Sequence, residues 1–569
     1  MMLKPTSGLR SVEWLDGDDE VAMSHRVAMR LSEEDRGKPI IGIADTRSDF
    51  NPCHMGFSSL IEELERGIRD AGGVPARFPV MSLGEDLMKP SAMLYRNLVS
   101  MELEETIRAY PIDGVVYLAN CDKTVPAALM AAASTNLPSL VLLGGSRAAP
   151  DYNGAPLGTG TALWRALDDY RAGRMDSREW SDLETVLRCA GPGACNTMGT
   201  ASSMAIVTEV LGMAVPGSAC LAVDSAALKD AAYTSGIAVV EAARDAELPA
   251  ERMSQTALDH AIVALAAIGG STNAVIHLAA IAGRLGLDGS LDRMDRLWRQ
   301  VPLLVDVEPC GAGLIHDFVA AGGVRALLEV LGELTSHGSD KRASDSPPRP
   351  EGVIRSLSNP VASAPVLAVI KGNLSPTGAV IKVAAASGEL LHHRGRAVVF
   401  DDYRTMRAQL DDPSRQYSES DVLIMRNCGP IGAPGMPEWG MIPIPQQLLA
   451  RGVKDMVRVT DSRMSGTSFG TVVLHVSPEA GIGGLLAMVR DGDEIELDLD
   501  ARELRLLCDP AELDDRTSAF TPESSGHLRG WPKLYREHVL QAPDGCDLDF
   551  LVAPTPEHRR FVPPVVGRS

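Results

Sequence analysis

Between residues 39 and 143 the chain alternates short apolar runs with amphipathic stretches, and this rhythm constrains the fold more than any other feature. Residues 39–44 (PIIGIA) read as a buried strand, after which Phe57, Leu60, Ile61, Leu64 and Ile68 fall on one face of a helix. Gly72 and Gly73 end that helix. Residues 77–81 then read as a strand, 95–110 as a helix, 113–119 (DGVVYLA) as a strand, 125–134 as a helix and 139–143 as a strand. Strands linked by helices in this way predict a mainly parallel sheet covered by helices.

With 569 residues the chain exceeds one ordinary core, so further organisation is expected. Residues 202 to about 331 are mostly helical in pattern and rich in alanine, and 334–350 (LTSHGSDKRASDSPPRP) read as an exposed linker. Beyond it, short strands are expected at 366–370, 397–400, 422–425, 456–460, 471–476 and 494–499, separated by Gly/Pro-rich turns. The expected architecture is α/β. An N-terminal parallel-sheet α/β domain spans 1–350, and a C-terminal β-rich, barrel-like domain spans 351–569.

Composition excludes several classes of function. A nucleic-acid binder needs a basic face, and a net charge of -21 gives no sign of one. The longest apolar runs, 261–268 and 274–282, are too short for a bilayer and are broken by Gly269, Gly270, Asn273 and His277. The first twenty residues lack the apolar centre of a signal peptide, so a cytoplasmic protein is expected. Nine cysteines, an odd number without any CxxC pair, argue against a disulfide framework or a zinc ribbon. Any metal site must therefore be assembled from cysteines distant in sequence.

Three cysteines share a context. Cys53 (DFNPCHMG) and Cys121 (ANCDKTVP) each lie between a strand and a helix, and Cys195 (GPGACNTMGTASSM) lies in a Gly-rich turn entering a helix. Strand carboxyl ends gather ligands and helix N-termini favour thiolates, so the three could bind a cluster. They could equally be buried small hydrophobes. Asp122 and Lys123 follow Cys121 directly. Asp122 is either a helix cap or a ligand for a hard cation such as Mg²⁺ beside a soft metal on Cys121. Glu85 (PVMSLGED) offers a second oxygen ligand or a surface carboxylate. Glu438 lies in a rigid Gly/Pro loop and Ser465 in the turn TDSRMSGTSFGTVV, where turn chemistry alone is the plain alternative. Ser465 has no GxSxG elbow, and GGSTN at 269–273 reads as a helix cap.

These segments, with MLYRNL, GGSTNAVIHL, GNLSPTGAVIK, GPIGAPGMPE and TDSRMSGTSFGTVVLHVSPEA, run in order from about residue 49 to about residue 480. Together they resemble the dihydroxy-acid dehydratase / phosphogluconate dehydratase family, and PVMSLGE with MLYRNL and RGRAVVF look most like its pentonate and hexonate dehydratases. The resemblance implies a [2Fe–2S] cluster on Cys53, Cys121 and Cys195. It implies Mg²⁺ on Glu85, Asp122 and Glu438, with Lys123 as a ligand that can be carboxylated. Ser465 would be the base and Thr467 a substrate contact. Members are dimers or tetramers with sites near subunit interfaces. The implied reaction turns an aldonic acid into a 2-keto-3-deoxy acid and water. A branched-chain dihydroxy acid or 6-phosphogluconate is the alternative substrate within the family. A metal- or ligand-binding protein without activity and a zinc hydrolase are the rivals outside it.

One departure stands out. His54 follows the first cysteine, where members of the family commonly carry Asn. An imidazole there would alter hydrogen bonding to sulfur or supply a fourth iron ligand.

Overall fold

The computed structural model of the protein describes residues 8–335, 352–522 and 528–553. Most of the stretch expected as a linker, and the division expected at 350, lie outside these residues.

The first four strands follow the alternation read from the sequence, shifted by up to three residues. They are β1 (Ile40–Asp45), β2 (Val74–Pro79), β3 (Gly114–Leu118) and β4 (Ser139–Leu142). All pair in parallel in the order β2-β1-β3-β4. Helices Phe57–Asp70, Met93–Ala109 and Thr124–Thr135 make the crossovers. β1, β3 and β4 are almost wholly buried because helices cover both faces. On one face Phe57, Leu60, Leu64 and Ile68 pack with Val239 and Val240 of helix Ala226–Asp245. On the other, the alanine-rich helices Thr124–Thr135, Thr200–Val210, Gln255–Ala267 and Asn273–Leu285 build the largest core. Alanine at so many positions lets these helices pack closely around the strand ends. β5 (Asp151–Tyr152) and β6 (Ala155–Pro156) form a small separate hairpin.

The C-terminal part curls into a nearly closed barrel-like sheet. Its strands are β7 (Leu367–Ile370), β8 (Gly378–Lys382), β9 (His392–Phe400), β10 (Val422–Met425), β11 (Arg458–Thr460), β12 (Val472–Ser477), β13 (Glu494–Asp498) and β14 (Glu503–Leu507). The order is β14-β13-β9-β10-β11-β12-β8-β7, and a bridge between Lys371 and Glu503 brings the two edges together. Alternate residues such as Ala368, Ile370, Ala379, Ile381, Ile495, Leu497, Leu504 and Leu506 fill the interior, as the period of two requires. β8 and β14 go beyond the expected strands, and β9 extends to His392. The added half of β9 (HHRGR) is polar and alternately exposed, and it is a strand because β13 pairs with it.

The segment 531–551 straps the two parts together. Arg96 donates to the carbonyls of Gly545 and Cys546 at 2.7 and 3.0 Å, while Arg284 forks onto Asp547 at 2.7 and 3.0 Å. Gln541 bonds Glu479 beside the barrel. Among the described residues no helix is long and apolar enough to cross a membrane.

Candidate active site

The thiols singled out in the sequence stand at the carboxyl edge of the parallel sheet. Crevices form there at the point where the strand order reverses. The order β2-β1-β3-β4 puts that point between β1 and β3, and Cys53 follows β1 while Cys121 follows β3. Cys195 enters from the loop before helix Thr200–Val210. Hydrogen bonds bind the three loops together. Asn120 Nδ2 donates to the carbonyls of Cys53 at 2.9 Å and Gly145 at 2.8 Å. The Gly193 N–H donates to the Pro52 carbonyl at 3.0 Å, and Arg147 donates to the Gly193 carbonyl at 3.1 and 2.9 Å.

The Arg147 guanidinium also faces the thiols of Cys195 and Cys53. Burial nevertheless pushes the Cys195 thiol up to about 11, with Arg147 opposing. A shared hydrogen bond with Cys53, and then burial, hold the Cys121 thiol well above its usual value. Thiols raised in this way become thiolates only against a strong positive charge, which a metal centre supplies.

His54 is turned to the backbone. It is fully buried, and its Nε2 accepts from the backbone N–H groups of Cys121 at 3.1 Å and Asn120 at 3.3 Å. Its Nδ1 lies 3.1 Å from the Thr46 carbonyl and donates to it. Burial lowers the imidazole to about 4, so the ring is neutral. With both nitrogens committed to the backbone, His54 ties the β1 loop to the β3 loop.

Glu85, Asp122 and Glu438 each bring a carboxylate oxygen within 4.8 Å of the others. The fully buried Lys123 Nζ lies among them, 2.5 Å from Asp122, 3.2 Å from Glu438 and 3.5 Å from Glu85. Asp122 is therefore no helix cap: its carboxylate takes Lys123 and, at 3.3 Å, the Cys121 thiol. Burial raises the Glu85 carboxyl, with Lys123 opposing. Burial also acts upward on Asp122, but Lys123 and then Arg463 outweigh it and hold the group below its usual value. For Lys123 burial acts downward, and the carboxylates, Asp122 foremost, keep the ammonium above its usual value.

Two groups that the sequence reading did not single out complete this cluster. Arg463 donates to Glu438 at 2.8 Å and to Ser91 Oγ at 3.0 Å, and Ser91 donates to Glu85 at 3.0 Å. Asn273 Nδ2 donates to Glu438 at 2.6 Å. Both lie inside motifs already noted, Arg463 two residues before Ser465 and Asn273 closing GGSTN. Their polarity in otherwise small-residue turns was the available signal. Three carboxylates face two cationic side chains here, and Glu85 Oε2 is buried without a hydrogen-bond partner. A surplus negative charge and a spare hard oxygen are what a divalent cation neutralises.

Ser465 lies in the turn between β11 and β12. The turn packs so tightly that a Cβ on Gly466 would fall 2.7 Å from Ser271 and from Thr200. Thr200 Oγ1 lies 2.8 Å from Ser271 Oγ and accepts from Asn273 Nδ2 at 3.1 Å. Lys382 Nζ donates to the carbonyls of Gly269 and Gly466 at 3.1 and 3.3 Å, so the serine turn, GGSTN and, through Asn273, Glu438 form one seam. Ser465 Oγ and Thr467 Oγ1 lie 3.0 Å apart.

Comparison with known proteins shows the family. The profile described as Dihydroxy-acid/6-phosphogluconate dehydratase N-terminal matches residues 38–342, and its C-terminal counterpart matches 352–546. The chain is 45% identical to the L-arabonate dehydratase of Azospirillum brasilense, covering 97% of this chain and 98% of that one. It is 40% identical to the 6-deoxy-6-sulfo-D-gluconate dehydratase of Pseudomonas putida, covering 97% of each. Against the D-xylonate dehydratase of Caulobacter vibrioides it is 35% identical over 95% of this chain and 96% of that one. With both profiles matched in order and such relatives aligned over nearly their full length, the chain belongs to the dihydroxy-acid/6-phosphogluconate dehydratase family, whose named relatives are hydro-lyases.

Proposed function

We propose that the protein dehydrates an aldonic acid to a 2-keto-3-deoxy acid. The observation that carries this reading is the half-buried trio of Glu85, Asp122 and Glu438 around the buried Lys123, joined by one seam to the Ser465 turn. The relatives named for sugar acids, at 35% to 45% identity, favour such a substrate over a branched-chain dihydroxy acid, since relatives named dihydroxy-acid dehydratase stand at 33% to 35%.

Glu85, Asp122 and Glu438 would hold Mg²⁺ with Lys123 as its carbamate, and Cys53, Cys121 and Cys195 would hold a [2Fe–2S] cluster. When bound, these groups supply Lewis acidity toward the substrate carboxylate and 2-hydroxyl and toward the departing 3-hydroxyl. Carboxylation would remove the positive charge of Lys123 from among the oxygen ligands. Arg463 and Asn273 hold the Glu438 carboxylate in place, and Ser91 holds Glu85. Ser465 Oγ takes the C2 proton, and Thr467 contacts the substrate beside it. The C3–O bond breaks as the C2 electron pair forms the enol, the 3-hydroxyl departs and becomes water by taking up the proton that Ser465 removed from C2, and the enol tautomerises to the 2-keto acid.

This reading divides the chain near residue 350, between the two matched regions. It places the protein in the cytoplasm, a reducing setting suited to nine free cysteines. It also makes the protein a dimer or tetramer. Phe50, Met55 and Leu87 flank the Cys53 and Glu85 loops with 78%, 43% and 61% of their surface exposed, and a second copy would cover them.

The test is an anaerobic screen of L-arabinonate, D-xylonate, D-gluconate, 6-phosphogluconate and 2,3-dihydroxyisovalerate for 2-keto acid formation. Turnover of an aldonic acid that falls on the order of a hundredfold to ten-thousandfold in Ser465→Ala is expected. Preference for dihydroxyisovalerate, or a Ser465→Ala variant with near-normal kcat, contradicts the proposal.

A further inference from the structure

A serine hydroxyl is too weakly acidic to serve as a base unless its anion is stabilised. Ser465 has two candidate donors beside it, and one neighbouring side chain leaves the Thr467 hydroxyl hydrogen free to serve as one of them. Trp164, on helix Thr161–Arg171, places its indole Nε1 3.0 Å from Thr467 Oγ1. An indole N–H donates and cannot accept, so Thr467 Oγ1 is the acceptor in this bond. The hydroxyl hydrogen of Thr467 is then free to point along its other short contact, the 3.0 Å approach to Ser465 Oγ. The Thr467 backbone N–H lies 3.4 Å from the same oxygen and also donates to it.

Packing leaves Thr467 little freedom to abandon this geometry. A Cβ on Gly160 would fall 2.5 Å from Thr467 Cγ2, and one on Gly199 would fall 2.9 Å from it. Thr161 Oγ1 donates to the Thr467 carbonyl at 3.1 Å. The Thr467 side chain is 6% exposed, so its hydrogen bonds are scarcely diluted by water.

We propose that Trp164 and Thr467 form a directed donor relay that stabilises Ser465 as an alkoxide. Thr467 is the group that touches the reacting oxygen, and Trp164 is a positioning residue that sets the direction of the Thr467 hydroxyl. The remaining lone pair of Thr467 stays available to a substrate hydroxyl. Only two bonds to hydrogen change at Ser465. It releases its own proton to water, and the alkoxide then takes the C2 proton, leaving behind the electron pair that forms the enol as the C3–O bond breaks. The inference rests on Ser465 being the base.

The test is a mutant cycle assayed with the fastest-turned-over of L-arabinonate, D-xylonate and D-gluconate. Trp164→Phe keeps an aromatic ring and loses the donor, and kcat should fall on the order of tenfold with KM changed less than about threefold. Thr467→Val keeps the shape and loses the hydroxyl, and kcat should fall on the order of a hundredfold, as for other lost oxyanion donors. Thr467→Ser loses a methyl but keeps the hydroxyl, and should retain at least about tenfold more kcat than Thr467→Val. Were the role merely packing, that order would reverse. In the Thr467→Val background, Trp164→Phe should change kcat by less than about twofold, because the relay is already broken. Additive losses in the double variant, or Thr467→Val outperforming Thr467→Ser, overturn the relay. Near-normal kcat in Ser465→Ala would instead overturn the assignment of the base, so the two failures are distinguishable.

Discussion

Asp461 offers a stability test that does not depend on any cofactor. It is fully buried beside Glu479, and burial first, then the Glu479 charge, raises its carboxyl from 3.8 to about 7. Its two oxygens accept from the backbone N–H groups of Cys428 at 2.9 Å and Ala480 at 3.0 Å. Glu479 accepts from the Ile431 and Gly432 N–H groups. The two acids together hold the loop that leads to Glu438. Because the folded value lies above the unfolded one, the contribution of Asp461 is fully present below pH 3.8 and is lost as pH rises through about 7. At about 1.36 kcal/mol per pH unit the full loss is about 4 kcal/mol, of which about 3 kcal/mol falls between pH 5 and pH 8. Asp461→Asn cannot ionise, and it leaves one of the two N–H groups without an acceptor, at a pH-independent cost of about 1–3 kcal/mol. Relative to wild type, the variant should therefore gain about 3 kcal/mol between pH 5 and pH 8. Urea unfolding followed by tryptophan fluorescence at pH 5, 6, 7 and 8 measures this directly. A difference between the two proteins that stays constant over that range would mean that Asp461 does not take up a proton on folding, and the reasoning would be wrong.

Three further outcomes are expected. Anaerobically purified wild type should be brown, with about two iron and two sulfide per chain. Serine at Cys53, Cys121 or Cys195 should abolish that colour, and serine at Cys220 or Cys508 should spare it. A chelator should remove activity reversibly while leaving the visible spectrum, and Asp122→Asn should behave like chelated enzyme; full activity in chelator would exclude the hard-metal site. Arg284→Met strands the buried Asp547 carboxylate and should cost about 3–5 kcal/mol in urea unfolding, whereas a loss below about 1 kcal/mol would mean that the strap adds little.

The first sheet was legible in the sequence because its signals are local. Phe57, Leu60, Leu64 and Ile68 share a helix face whatever lies elsewhere in the chain, and PIIGIA reads as a buried strand for the same reason. β14 and the polar half of β9 were not legible, since pairing with β13, rather than composition, makes them strands. The motifs named Glu85, Asp122, Lys123, Glu438 and Ser465 from residue type and context. Residue type and spacing could not show that Lys123 stands among the carboxylates, because Lys123 and Glu438 lie 315 residues apart; only the family resemblance implied it. His54 shows the limit from the other side: its sequence position did not say which groups its ring would meet. Only the buried path from Thr46 to the Cys121 N–H commits both ring nitrogens. Periodicity and residue type are properties of short stretches and survive in the sequence. The direction of a hydrogen bond, the charge balance of a buried cluster and the closure of a barrel depend on groups brought together from remote parts of the chain, so tertiary structure alone decides them.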